Sequence, residues 1–359
     1  MEFFIKMADG FPMRELLDLA DYLSETDVLV SDRPDPNSEV YSVSHRLLEK
    51  HLDEVQTILL PDRNIVSRMA QVARGEPLNE HRRVAAAVLA FAQCLDIQIE
   101  PSIAFHEMAF NEGNSATRDE LAWFRVADNG SPHEWVKAGL GAVERLPTVR
   151  NRPDIDEIDL AKPVGRWRRN YIVAMKMAEL ELDSTLGSYE KVSALLGWMR
   201  DDFILAGPAV LLAFLYFAPN SPPRRRLLKG LRSEDRQVAL AGVKNAAWDI
   251  TYLSDFARRI NEAREDRKKR YIFATADKRL RDLARFAVGE HEDFDANEGL
   301  AKSFERWWNP EDAQKIADLW VHCRARIRSQ EWWDQYKDRP DYVGELIARG
   351  EAVMLSWQA

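Results

Sequence analysis

Apolar positions recur along most of the chain at the spacing of one helical face, and at two places this gives way to short runs that are apolar throughout. FFIKM at 3–7 reads as a short strand and FPMRELLDLADYL at 11–23 as an amphipathic helix. SDRPDPNSEV at 31–40 is a turn-rich connector, and SVSHRLLEKHLDEV at 42–55 is a helix with Ser42 or Ser44 available as its cap. TILLPD at 57–62 is the first uniformly apolar run. It ends on a carboxylate and turns straight into the helix NIVSRMAQVARG, which stops at Gly75.

RRVAAAVLAFAQCLDI at 82–97 is apolar around much of its circumference and is expected to be buried. IEPSIAFHEMAF turns at Pro101 and continues as a helix, which the polar and glycine signals of 111–129 are expected to end. From about 130 to 240 the pattern is helical without competing β-alternation. A long helix follows over roughly 236–265, with Ala247, Ile250, Leu253, Ala257 and Ile260 on one face. YIFAT at 271–275 is the second uniformly apolar run and reads as a buried parallel strand, turning through TAD into the helix KRLRDLARF. Helices rich in tryptophan follow from about 297 and are expected to form a packed cap.

Composition narrows the class. The chain has 359 residues, 46% of them hydrophobic and 30% charged, which is the balance of a folded globular protein. Its two cysteines, Cys94 and Cys323, exclude a thiolate-only zinc site or a disulfide framework and suit a reducing compartment. MEFFIKMADG lacks an apolar core followed by a small-residue cleavage site, so no secretory signal is expected and a cytoplasmic location is. The longest apolar run, 203–218, is shorter than the ~20 residues of a spanning helix and is broken near its start by Gly207-Pro208. It is expected to be a buried helix starting at Pro208, with no stable membrane insertion.

The candidate chemistry lies in carboxylates. In a parallel α/β sheet, ligands bind beyond the carboxyl ends of the strands, where Asp62 and Asp277 are expected to emerge. Asp249 lies on the helix before the second strand and Glu107 on a helix after the first, with pairing to an arginine as the other reading of Glu107 and with Glu112 and Glu120 as its substitutes. Four acids converging on one cleft resist ionisation unless a cation neutralises them. Hard cations such as Mg²⁺ and Mn²⁺ take carboxylate and water oxygens, and a cation so held activates water and neutralises charge on a phosphate oxygen.

The motifs ILLPDRN (Asp62, Asn64), NAAWDITYL (Asp249) and YIFATADKRL (Thr275, Asp277), in this order and with a 28-residue step from Asp249 to Asp277, resemble those of the PIN-domain nucleases. The resemblance covers about 54–110 and 240–288. It implies an α/β, PIN-like three-layer fold with a central parallel sheet, enlarged by a mostly helical insertion and tail. The domains implied are a PIN-like core at 1–110 and 240–290, a helical insertion at 111–239 and a helical extension at 291–359. It also implies a metal-dependent endonuclease cutting RNA, with Mg²⁺ or Mn²⁺ on Asp62, Glu107, Asp249 and Asp277, and with Asn64 and Thr275 orienting the carboxylates. The 142 positions between Glu107 and Asp249 exceed what the compact family core needs, and Arg63 stands where the family commonly has a small hydroxyl. Nucleases resembling this family often serve as toxins or in defence.

Nucleic acid is the expected partner despite the formal charge of −9, because residues 258–281 hold ten basic and four acidic side chains. Arg63, Arg267, Lys268, Lys269, Arg270, Lys278 and Arg279 are the expected phosphate contacts, with further basic runs at 162–170 and 224–232 and an exposed Trp167 to stack on a base. The acidic run 290–298 opposes them. His106 is expected to pack and Asp255 to be a solvent-facing or cap-like acid. The alternative function is a non-catalytic PIN-like interaction or regulatory protein, acting with a protein partner or a second copy. A Mg²⁺-dependent phosphatase is a third account, and PDRN lacks the second acid that it needs.

Overall fold

The computed structural model describes residues 5–34, 38–148, 151–162, 164–203, 207–220, 227–293, 297–327, 330, 334 and 341–358. In chain order the helices and strands are α1 (Met13–Thr26), β1 (Leu29–Ser31), α2 (Val43–His51), β2 (Gln56–Pro61), α3 (Arg63–Ala73), α4 (Glu80–Cys94), β3 (Gln98–Ile99), α5 (Ser102–Glu112), α6 (Asn114–Asp128) and α7 (Pro132–Gly139). They continue as α8 (Gly165–Leu182), α9 (Ser188–Asp202), α10 (Gly207–Phe217), α11 (Arg236–Glu265), β4 (Lys269–Ala274), α12 (Lys278–Asp293), α13 (Asn297–Phe304), α14 (Pro310–Ile327) and α15 (Tyr342–Ser356). The result is a mostly helical α/β architecture with one small mixed sheet. The chain divides into two compact units, residues 1–163 with 256–288, and residues 164–255 with 289–359.

The first unit holds the sheet, in the order β1-β4-β2-β3. β2 pairs in parallel with both β3 and β4, so its apolar residues Ile58, Leu59 and Leu60 are buried, which is why the run reads apolar throughout. β1 pairs antiparallel with β4, Leu29 opposite Ala274. The sheet is therefore mixed rather than wholly parallel. β1 begins inside an apolar stretch and runs into what the sequence presents as a connector. At 5–7, the described part of FFIKM, there is no strand, and Ile5 and Met7 pack partly against the core instead.

Helices cover this sheet. The α4 segment from Val84 to Ala92 is buried at every position, and α3 packs on α4 and α6 while α4 packs on α7. The polar stretch at 111–129 does end α5, but only for Gly113, at φ +86°. α6 then begins at once, with Ala122, Phe124 and Ala127 buried together with Thr117 and Glu120. The sequence pattern groups α6 and α7 with the helical insertion, and they belong to this first unit.

The second unit is helical. The described α10 residues from Ala209 onward are buried, and among the described residues no helix is long and apolar enough to cross a membrane. Trp308 donates its Nε1–H to the Phe214 carbonyl at 3.0 Å, and Trp320 meets the Phe214 ring edge-on, as a packed cap requires. Trp332 and Trp333, and Arg224 to Arg226 of the basic run 224–232, lie outside the described residues. Trp167 corrects an expectation. It is 4% exposed, stacked on Tyr171 at 4.9 Å, and offers no open face to a base. Asp255 is likewise buried rather than solvent-facing, at 3.5 Å from the Arg166 guanidinium.

Candidate functional site

β2 and β4 run side by side in register, Pro61 opposite Ala274, and both stop there. The Asp62 amide continues the pairing by one bond, donating to the Ala274 carbonyl at 2.9 Å. Asp62 and Thr275 consequently leave the sheet as neighbours, although they are far apart in the chain. Asp62 is the N-cap of α3, its Oδ1 accepting the Ile65 N–H at 2.8 Å. Its Oδ2 accepts the Thr275 hydroxyl at 2.6 Å. The same Thr275 oxygen accepts the Asp277 N–H at 3.0 Å. A single buried hydroxyl thus ties the two strand-exit aspartates together.

Asp277 caps the start of α12: its Oδ1 accepts the Arg279 N–H at 2.8 Å, and Oδ2 lies 3.3 Å from the Arg279 guanidinium. It stays partly open, whereas Asp62 is 3% exposed. Burial pushes the Asp62 carboxyl above its usual range, and the Asp277 charge pushes the same way. The Thr275 hydroxyl, the Ile65 amide and the Arg68 guanidinium oppose that shift. Burial in turn lowers Arg68, against the pull of Asp62.

Glu107 reaches this sheet end by another route. The Glu100 amide bonds to the Leu59 carbonyl at 2.8 Å just past β3, and α5 begins two residues later, carrying Glu107 on its second turn. There it faces Arg63, with Nη1 3.9 Å from Oε1, while the other arm of the same guanidinium bonds Glu112. His106 packs as expected, its Nδ1 2.9 Å from the Leu160 carbonyl. Asn64 is exposed, and its side chain bonds neither aspartate. Asp249 lies half-buried on the part of α11 that belongs to the second unit; Asp62, Glu107, Thr275 and Asp277 belong to the first.

The expected phosphate contacts separate into two groups. Arg63, Lys278 and Arg279 adjoin the carboxylates in sequence and lie at their end of the sheet. Arg267 to Arg270 precede or begin β4, whose length puts them about 16 Å away at the opposite end. Lys268 bonds the Asp53 carbonyl at 2.7 Å, Lys269 pairs with Asp266 at 3.1 Å, and Arg270 is buried against Glu49 at 3.3 Å. Arg68 lies on the helix that Asp62 caps and is not singled out by the sequence, and nothing in the sequence pattern signals the Arg63–Glu112 pair, which joins α3 to α5. The side chains of the acidic run 290–298 lie outside the described residues.

The donor chemistry of Asp62 and Asp277 is that of a hard divalent cation, which would relieve the cost of two adjacent carboxylates. Among the described residues, however, no group of three or more His, Cys, Asp or Glu side chains is arranged to hold a metal ion. Both Asp62 oxygens are engaged by protein donors, and Glu107 is turned to Arg63. Comparison with protein-family models, with curated proteins and with solved structures finds no match to this chain.

Proposed function

We propose that this chain is a PIN-like, metal-dependent endonuclease that hydrolyses phosphodiester bonds, with RNA as the expected substrate. The observation that carries the reading is the juncture at the carboxyl ends of β2 and β4, where Asp62 and Asp277 emerge from adjacent parallel strands and share Thr275. Ligand sites of α/β sheets form at such strand ends. The β4-β2-β3 order, with the Asp62 strand in the middle of three parallel ones, is in keeping with it.

Asp62 and Asp277, with Glu107, are the residues of the first unit that would hold Mg²⁺ or Mn²⁺. When bound, the cation supplies Lewis acidity and an activated water. The chain's own groups do the rest. Thr275 fixes one Asp62 oxygen, the α3 cap fixes the other, and the exposed Lys278 beside Asp277 offers positive charge to a phosphate. On this reading the protein acts in the cytoplasm, in a toxin or defence role, under a regulatory partner or as a homo-oligomer.

A second reading, a non-catalytic PIN-like interaction or regulatory protein, is favoured by one observation. The hydrogen bonds of Asp62 and the pairing of Asp277 with Arg279 form a network complete without a cation.

Cleavage of end-labelled single-stranded RNA and DNA in Mn²⁺, Mg²⁺ or EDTA separates the two. Metal-dependent cutting lost in folded Asp62→Asn and Asp277→Asn is the expected result, with a drop of at least ~100-fold. Cutting that survives both substitutions refutes the assignment, and a folded wild type without metal-dependent turnover leaves the second reading.

A further inference from the structure

We propose that the second unit binds a small organic anion, a carboxylate or phosphate head group on a short apolar body, in the crevice between α8, α9 and α15. The site is independent of the nuclease reading, since every residue lining it belongs to the second unit.

α8 and α15 pack on one another and line most of the crevice, and α9 adds Trp198. Gly350 of α15 sets how closely they meet. A Cβ there would lie 2.8 Å from the Met175 Sδ and Cε, so any side chain at this position displaces a thioether that itself lines the crevice. The volume is about 70 Å³. A cavity of roughly 150 Å³ takes a benzene, so this one admits a head group or a short chain and no larger body. Crevices between helices are a usual place for such ligands.

The lining decides the ligand class. Ile172, Leu346 and Val353 are apolar, and the Trp198 ring is held in place by stacking on Phe203 at 5.2 Å. Lys176 lies with Nζ 5.9 Å from the centroid of that ring and pairs with Glu179 at 2.8 Å. Arg349 is exposed and, among the described residues, has no ion pair or hydrogen bond. Lys176 and Arg349 against Glu179 leave one positive charge in excess. It sits on a planar fork of donors that suits a carboxylate or a phosphate. A neutral ligand leaves this fork unused, and a cation meets two positive charges. An exposed guanidinium alone holds an anion weakly, so the apolar crevice beside it is what makes a site.

A ligand held there touches both α8 and α15. Met354 is the buried residue of α15, and Glu351 fastens the helix through Tyr171 at 2.8 Å and Lys244 at 3.6 Å. The bound anion adds a further tie and slows the local opening of this helix.

The test is equilibrium dialysis of the full chain against butyrate, butyl phosphate, 1-butanol and inorganic phosphate. At least one of the two organic anions is expected to saturate a site below ~10 mM, and comparing them names the head group. Butanol and inorganic phosphate each lack half of the ligand and are expected to bind at least ~10-fold more weakly. Arg349→Gln changes an exposed, unpaired side chain, so the fold is kept; it is expected to weaken the organic anion about tenfold. Gly350→Ala keeps both cations and is expected to weaken the organic anion through Met175. By hydrogen exchange, the bound anion is expected to protect residues 342–356 in wild type and not in Arg349→Gln. The proposal is overturned if no organic anion saturates below ~10 mM, or if butanol or inorganic phosphate binds as tightly. It is equally overturned by an affinity that either substitution leaves unchanged, or by saturation without slower exchange in α15.

Discussion

Thr275→Val removes the one hydroxyl on which the candidate site turns while keeping the side chain's volume. Thr275 is fully buried, and its oxygen makes two bonds, donating to Asp62 at 2.6 Å and accepting from the Asp277 amide at 3.0 Å. Loss of a hydrogen bond to a charged group costs roughly 1.5–3 kcal/mol, and a neutral one roughly 0.5–1.5 kcal/mol. The expected destabilisation is therefore about 2–4 kcal/mol where Asp62 is ionised. Below that range a protonated Asp62 loses only a neutral bond, and the cost falls toward ~1–2 kcal/mol.

The sign of the pH dependence follows from Asp62. Its folded pKa is raised, so its stabilising contribution is fully present below the unfolded pKa and is lost as pH rises through the folded one. The Thr275 bond holds that folded pKa down, so its removal raises it further. The gap between wild type and variant accordingly widens as pH rises from the ordinary carboxylate range and then levels off. Urea unfolding at several values between about pH 4 and 8 measures it. Thr275→Ser is the control: it keeps the hydroxyl, loses only a buried methyl, and is expected to cost about 1 kcal/mol at every pH. A Thr275→Val cost below ~0.5 kcal/mol at the alkaline end, or a gap that does not change with pH, refutes the assigned role of the hydroxyl.

Two further predictions concern the first unit. Burial raises the Asp27 carboxyl, but its bonds to Arg285 and the Arg281 charge outweigh this and leave it below its usual range. Its contribution is present above the unfolded pKa and is lost as pH falls through the folded one. Asp27→Asn is expected to cost up to about 1 kcal/mol at neutral pH and nothing in strong acid, as read from urea midpoints at the two extremes. Gly139 sits where α7 crosses α4, and a Cβ there would lie 2.8 Å from the Ala87 Cα. Gly139→Ala is expected to lower the melting temperature by the equivalent of about 1–3 kcal/mol, although alanine is the better helix former; a raised Tm would show that the crossing has room.

Legibility in the sequence followed the range of the interactions. The Ile58–Leu60 and Tyr271–Ala274 stretches of β2 and β4 stand out because they are buried in the middle of the sheet and must be apolar throughout. β1 and β3, of three and two residues, are too short for any periodicity and exist through their pairing with β4 and β2. The end of α5 is legible in the polar and glycine signals after it, whereas α6 is not announced, because one glycine at φ +86° allows a helix to restart immediately. Arg267 to Arg270 lie close to Asp277 in sequence, but the extended strand between carries them to the other end of the sheet.

What the sequence by itself determined is local: helix faces, a serine cap at Ser42 or Ser44, the two apolar strands and the carboxylate that ends each. These depend on neighbours a few positions away, so spacing encodes them. The strand order β1-β4-β2-β3, the seating of Thr275 between Asp62 and Asp277, the turning of Glu107 to Arg63 and the burial of Trp167 were decided only by the tertiary structure. Each of these joins residues distant in the chain. Such pairings are set by sheet register and by the need to satisfy a charge or hydroxyl once it is withdrawn from water, and no local pattern records which distant group will do it.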